Sequence, residues 1–325
     1  MDFLDSLGPG DHLGPYVIVR AIGEGGMGVV YEADHTRLQR PAAVKVLHSY
    51  LATDLGRSRF EREVRACAAL SDPHTVEIYD IGESDDGRLY YAMELLEGYD
   101  LRQLVEADGP QAPGRAVRVL AQIAGALSEA HGKGLVHRDI KPPNIILCAP
   151  GGEPDVAKLV DFGLVTSAKG RGRLTIEGNL LGTPRYIAPE MTSDPAGVGP
   201  AADLYALGLV AYFLLTGQHA FDHPDRAEIL RRQRDDPPPS LLTVRPSLPI
   251  DLVSVVERCL EKRAEDRFVS ALALRDALLG CACAAEWNEE EARRWWANVS
   301  RPRGASERPP AMTRASTPPE PPAPT

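Results

Sequence analysis

The sequence predicts an α+β chain, with strand signals gathered in its N-terminal part and helical signals beyond them. Three observations carry this. The N-terminal part holds β-branched and aromatic runs at 16–22, 29–33, 41–47 and 89–93, punctuated by glycines, which is how strands and hairpins read. Past them, helical signals dominate, with a long amphipathic stretch at 116–131 and an uncharged apolar run at 204–215. That run is too short to cross a membrane and reads as a buried core helix. Between the two helical stretches, His137-Arg138-Asp139-Ile140-Lys141-Pro142-Pro143-Asn144 puts an acid, a base and an amide in one loop, ahead of the strand-like Ile145-Ile146-Leu147.

Composition bounds the function. With 325 residues, 43% hydrophobic and 25% charged, the chain is globular and long enough for one large or two medium domains. A formal net charge of −10 argues against nucleic acid and against an anionic membrane surface, both of which require clustered positive charge. The 5 cysteines are odd in number and lack zinc-ligand spacing, which fits a reducing compartment; Cys281 and Cys283 read as buried or incidental thiols. The first residues carry neither a basic stretch nor an apolar core, so no signal peptide is expected and the cytoplasm is the default location.

The chemistry is concentrated in a few places. Asp139, Asn144 and Asp161 each stand at the start or end of a strand, and oxygen donors of this kind suit Mg²⁺, which shares its coordination sphere with substrate phosphates. Phosphoryl transfer is therefore the reaction to test. The glycine pattern Gly23-Glu24-Gly25-Gly26-Met27-Gly28 follows a strand and fits either a dinucleotide-binding turn or a glycine-rich hairpin. Because 29–33 is again strand-like and no helix start follows, the hairpin is the better reading. Lys45 interrupts an apolar strand, and along residues 58–70 Phe60, Val64, Cys67 and Ala68 recur at helical spacing, which leaves Glu63 beside the buried face and Glu61 further round.

Together these segments resemble a protein kinase. Residues 137–144 resemble the H-R-D-x-K-x-x-N loop of that family, Asp161-Phe162-Gly163 its D-F-G, and Ala43-Val44-Lys45 the strand whose lysine holds phosphates. Further elements, Ala188-Pro189-Glu190 and the helix beginning near Asp203, follow in the family's order, so the resemblance covers about residues 16–280 and implies a two-lobed fold, with a small, mostly β N-lobe over 16–96 and a larger, mostly α C-lobe over 97–280. The glycine-rich segment is most similar to bacterial kinases of the eukaryotic type (Hanks-type).

The resemblance implies ATP between the lobes, with Gly23, Glu24, Gly25, Gly26, Met27, Gly28, Val30 and Ala43 over the nucleotide and Met93 as gatekeeper. Glu94, Leu95 and Leu96 would face adenine. Asp100 would hold the ribose, or cap the helix that follows it; the two roles are compatible. Lys45, fixed by Glu63, would orient the phosphates, Asn144 and Asp161 would hold Mg²⁺ or Mn²⁺ in its place, and Asp139 would take the acceptor's proton. Lys141 implies serine/threonine specificity, and Thr183 would bond the Asp139–Lys141 pair. Arg138, Glu190, Asp203 and Arg267 would be structural, with Arg138 also receiving a phosphate on Thr175. Protein substrates and a transient homodimer for trans-autophosphorylation follow as partners. The competing reading is a pseudokinase that binds nucleotide and serves as a scaffold; the intact Lys45, Asp139, Asn144 and Asp161 weigh against it.

The ends differ from the middle. Residues 1–15 form a lead-in. Over 281–300 a helical extension is expected, with Asn288 as N-cap, i,i+4 pairs from Glu289 to Arg293 and Glu290 to Arg294, and Ala292, Trp295, Trp296 and Val299 on one face. That face packs on the large lobe or on a partner, and the lobe is favoured. From 301 to 325 Pro, Ser, Thr and Ala dominate, so a disordered tail is expected, and no membrane span follows.

Overall fold

The computed structural model describes residues 7–25, 28–48, 54–162, 184–193 and 197–299. Gly26, Met27, Gly163, Thr175, Thr183 and the tail lie outside the described residues. The N-lobe is an antiparallel sheet of β1 (His12–Leu13), β2 (Tyr16–Gly25), β3 (Gly28–His35), β4 (Pro41–Leu47), β5 (Ile78–Glu83) and β6 (Leu89–Met93), in the order β1-β2-β3-β4-β6-β5. Helix α1 (Asp54–Ala68) enters between β4 and β5 and lays Phe60, Val64 and Cys67 on the sheet.

β4 explains how a lysine comes to lie inside. It is a central strand between β3 and β6, and alternation divides its side chains between two faces. Ala42, Val44 and Val46 join one core with Tyr16, Tyr31 and Tyr90, whereas Ala43 and Leu47 join the larger core that runs into the C-lobe. Lys45 shares the second face and is only 8% exposed. Gly28 is required where β3 leaves the hairpin, because a Cβ there would stand 2.0 Å from the Val46 carbonyl oxygen.

The C-lobe begins with β7 (Gly98–Asp100) and α2 (Leu101–Asp108), then the long α3 (Pro113–Gly132). β8 (Ile145–Cys148) and β9 (Val156–Leu159) complete a three-stranded antiparallel sheet in the order β7-β8-β9. After α4 (Pro189–Ser193) comes α5 (Pro200–Thr216), in which every residue from Ala202 to Thr216 is buried. A helix apolar on all sides has no solvent face, so α5 forms the axis of the lobe. Helices α6 (Arg226–Asp235), α7 (Leu241–Val244), α8 (Ile250–Cys259) and α9 (Ala271–Leu279) follow, with α8 and α9 against α3 and α5.

Residues 282–299 pack on this lobe. α10 (Glu289–Asn298) is capped by Asn288, whose side chain accepts from Glu291 N at 3.0 Å. Its two tryptophans, with Trp287 before it, close over a buried ion pair: Arg115 Nη2 and Nε lie 2.8 and 3.0 Å from the Asp155 carboxylate, and these residues are 1% and 0% exposed. Trp287 Nε1 and Trp296 Nε1 donate to the same carboxylate at 2.7 and 2.8 Å, while Trp295 Nε1 donates to Asp108 at 2.9 Å. The guanidinium carbon of Arg115 stands 3.8 Å from the Trp295 ring centre, and Trp295 and Trp296 both meet Tyr99 of β7. Gly114 admits the segment: a Cβ there would lie 2.6 Å from Cys283 O and 2.9 Å from Trp287 N. The lobe boundary at residue 280 thus cuts through one packed unit.

Removing donors from a buried carboxylate leaves it under-satisfied at a cost of about 1–3 kcal/mol. A chain ended after Leu279 is therefore expected to unfold at least several degrees below the longer chain, and Trp296→Phe to lose about 1 kcal/mol through the missing donor. Thermal and urea unfolding measure both. Coincident transitions for the two lengths would show that the tryptophan clasp contributes nothing.

Candidate active site

A cleft of about 530 Å³ opens between the lobes. Of the residues expected over the nucleotide, the structure brings Gly23, Glu24, Gly25, Gly28, Val30, Ala43, Lys45, Met93, Glu94, Leu95, Leu96 and Asp100 to its wall, together with Asp139, Lys141, Asn144 and Asp161. Asp100, on that wall, also caps α2, accepting from Gln103 N at 2.8 Å while Gln103 Oε1 accepts from Asp100 N at 3.1 Å. The Glu94 carboxylate accepts from Lys158 Nζ at 2.7 Å and from Glu77 N at 2.8 Å, which steadies the segment joining the lobes.

The loop 137–144 is held from below by Asp203, in the first turn of α5. Asp203 Oδ2 accepts from His137 N and Oδ1 from Arg138 N, each at 2.8 Å. Arg138 has φ 65, a left-handed conformation that costs a non-glycine residue about 1–2 kcal/mol and persists only where its surroundings fix it. His137 accepts from Asp139 N on Nδ1 at 3.2 Å, so its Nε2 carries the hydrogen and donates to Val160 O at 3.1 Å. Burial pushes the His137 pKa down despite the pull of Asp203 and Asp139, which keeps the ring neutral and this pattern intact.

On top of that support stands the Asp139 carboxylate. Asp139 Oδ2 accepts from Lys141 Nζ at 2.8 Å and from Asn144 Nδ2 at 3.0 Å, and Asn144 Nδ2 also reaches Asp139 O at 2.9 Å. The amide nitrogen of Asn144 is thereby spent on Asp139, which leaves its Oδ1 without a protein partner among the described residues. Asp161, with φ 58, carries the second carboxylate. Burial alone would raise its pKa, but the Lys45 ammonium, with the Tyr91 hydroxyl and Lys141, holds it below the ordinary range.

Lys45 differs from expectation in its partner. Lys45 Nζ lies 2.7 Å from Asp161 Oδ1, and no ion pair between Lys45 and Glu63 occurs among the described residues. Phe60, Val64 and Cys67 of α1 pack into the core against the sheet, and Asp161 is the carboxylate that lies within reach of the amine. Glu63 does not line the cleft. Farther out, Arg267, 2% exposed, makes the bidentate pair with Glu190 at 2.7 and 2.9 Å and also donates to Ala201 O and Lys262 O.

Several residues at the site were not singled out in the sequence, among them Ile146, His131 and Tyr91. Ile146 of β8 forms part of the cleft wall, as an ordinary strand residue whose alternation could have revealed it. His131, in the last turn of α3, places Nε2 2.8 Å from Asp203 Oδ2 as a third partner of that carboxylate. Tyr91 lines the cleft and donates its hydroxyl to Asp161 Oδ1 at 3.1 Å; in the sequence it is one more aromatic in a strand.

The oxygens fit a hard divalent cation. Asn144 Oδ1 and Asp161 Oδ2 both belong to residues of the cleft wall and have no protein partner among the described residues, and no cluster of three or more His, Cys, Asp or Glu suited to a metal occurs there. Such a sparse donor set suits Mg²⁺, which is held through one or two side chains plus phosphates rather than in a protein cage.

Comparisons with known proteins agree with this geometry. The protein kinase domain family matches residues 16–278. The serine/threonine-protein kinases PknE of Mycobacterium tuberculosis and pkn3 of Myxococcus xanthus are 41% and 36% identical over 262 and 269 residues, covering 80% and 81% of this chain but 45% and 49% of theirs. The chain thus spans about half the length of these curated relatives. The crystal structure of the M. tuberculosis PknI kinase domain is similar with a TM-score of 0.65 and 32% identity, over 84% of this chain and 98% of that one. Among the described residues no helix is long and apolar enough to cross a membrane. With its lobes, its cleft and its Asp139 loop in this arrangement, the chain belongs to the protein kinase domain family, among bacterial members of the eukaryotic-like type.

Proposed function

We propose that this chain transfers the γ-phosphate of ATP to serine and threonine hydroxyls of proteins, in the cytoplasm. The observation that carries the reading is the Asp139 carboxylate flanked by Lys141 and Asn144 at 2.8 and 3.0 Å, on the wall of the same cleft as Lys45 and Asp161. In the transfer, the acceptor oxygen bonds to the γ-phosphorus, the bond from that phosphorus to the bridging oxygen of ADP breaks, and the hydroxyl proton passes to Asp139. Lys141, beside Asp139, neutralises charge on the phosphoryl group as it moves. Lys45 orients the α- and β-phosphates, and Asn144 and Asp161 hold Mg²⁺, with Mn²⁺ as a substitute; the metal, when bound, neutralises phosphate charge. Glu63 is assigned to Lys45 in the nucleotide-bound enzyme, where phosphates compete with Asp161 for the amine. The pseudokinase reading has no missing reacting group to support it.

Activation is assigned to phosphorylation of Thr175 in trans within a transient homodimer, with Arg138 receiving the phosphate. A phosphothreonine brings about −1.5 to −2 charge, enough to order a segment against arginine. Thr175 and Thr183, which is assigned to the Asp139–Lys141 pair, lie outside the described residues.

Two predictions follow from these assignments. With γ-labelled ATP the purified protein is expected to label itself or a basic protein on serine and threonine. Asp139→Asn should lower that transfer by about 100-fold or more while nucleotide affinity stays within a few-fold, whereas Lys45→Met weakens nucleotide binding and transfer together. Label mainly on tyrosine, or near-native transfer by Asp139→Asn, would overturn the assignment. Separately, site-resolved mass spectrometry of active protein should find phosphate on Thr175, and Thr175→Ala should reduce the rate; an unmodified Thr175 in active enzyme places the switch elsewhere.

A further inference from the structure

Tyr91 has no part in the transfer set above, yet its hydroxyl touches that set directly. In the register of β4 and β6 it stands opposite Lys45, so the two side chains leave the sheet on one face. Both end on a single atom. Lys45 Nζ lies 2.7 Å and the Tyr91 hydroxyl 3.1 Å from Asp161 Oδ1, while Asp161 Oδ2 has no protein partner among the described residues. The phenol is 2% exposed, and its ring meets Phe60 of α1 with centroids 6.1 Å apart. A buried hydroxyl without an acceptor costs free energy, and here the acceptor is Asp161.

A carboxylate with two donors on one oxygen has lost its freedom to turn about its Cβ–Cγ bond. We infer that Tyr91 is a positioning residue for the metal-binding carboxylate: together with Lys45 it fixes Asp161 Oδ1 and presents Oδ2 to the divalent cation. This rests on the assignment of Asp161 as a metal ligand. The role is distinct from filling the core, because a phenylalanine would fill the same space and leave Asp161 with Lys45 alone. When Lys45 turns to phosphates, the Tyr91 hydroxyl is the donor that stays with Asp161.

Calorimetry with a non-hydrolysable ATP analogue, with and without Mg²⁺, tests this on the full chain. Tyr91→Phe is expected to keep the metal-free affinity within about twofold and to lose about threefold to tenfold of the gain that Mg²⁺ brings, with its thermal midpoint close to that of the native protein. Half-maximal transfer should require correspondingly more Mg²⁺. Tyr91→Leu, which also lacks the hydroxyl, should shift the Mg²⁺ gain in the same direction. A native Mg²⁺ gain in Tyr91→Phe overturns the inference, as does a loss of equal size without metal. Asp161→Ala separates the layers: if it abolishes the Mg²⁺ gain and Tyr91→Phe does not reduce it, the Tyr91 role alone falls, whereas a gain surviving Asp161→Ala removes the metal assignment and the Tyr91 role with it.

Discussion

The Asp203 carboxylate is the fixed point of the catalytic loop. It is 1% exposed, a position that costs a charge several kcal/mol unless donors surround it. Two loop N–H groups and His131 Nε2 supply them, and the first turn of a helix adds its own favourable field. The reverse dependence matters as much. Arg138 holds its left-handed backbone while its N–H is bound to Asp203, and the turn so made sends His137 inward and Asp139 outward. Because α5 is buried on all sides, Asp203 cannot shift without repacking the lobe.

From there the order passes outward through hydrogen bonds. His137 Nε2 holds Val160 O, and Val160 N holds Asn144 O at 3.0 Å, so the strands before Asp161 and after Asp139 are tied across their ends. Asn144 binds both oxygen types of Asp139, backbone and side chain. The two carboxylates of the site are therefore set by one network, but with different companions. Asp139 is paired with a mostly buried lysine of its own loop, whereas Asp161 answers to a lysine and a phenol of the N-lobe sheet.

Legibility followed the length scale of the signal. Lys45, Asp139, Asn144 and Asp161 were readable because each sits in a short pattern whose residue types the chemistry demands, and the pairing of Arg267 with Glu190 came with that pattern's wider order. The partner of Lys45 was not readable. Whether the amine meets Glu63 or Asp161 depends on where α1 settles on the sheet, a matter of a few ångströms that the helical spacing of Phe60, Val64 and Cys67 does not encode. Tyr91 was hidden for another reason: strand alternation places it beside Lys45 only once the pairing of β4 with β6 is known. A run of tyrosines and aliphatics gives no sign of which hydroxyl will find a carboxylate.

The same limit explains the C-terminal clasp. Helical spacing showed that Trp295 and Trp296 share a face, but Asp155, Arg115 and Trp287 come from a loop, a helix and a turn far apart in sequence. None of them belongs to a motif. Their coupling is nonetheless strict, since Arg115 and Asp155 have lost water and must find donors, acceptors and ring faces in the protein. The tryptophans satisfy both: their N–H groups complete the carboxylate, and their faces cover the guanidinium. Since Trp295 and Trp296 also rest on Tyr99, and Asp100 follows Tyr99 at the wall of the cleft, the segment after the family match adjoins the cleft through β7. A buried charge pair thus makes the C-terminal extension part of the lobe that positions the site, because removing the cover would return water to a pair that the rest of the packing cannot satisfy.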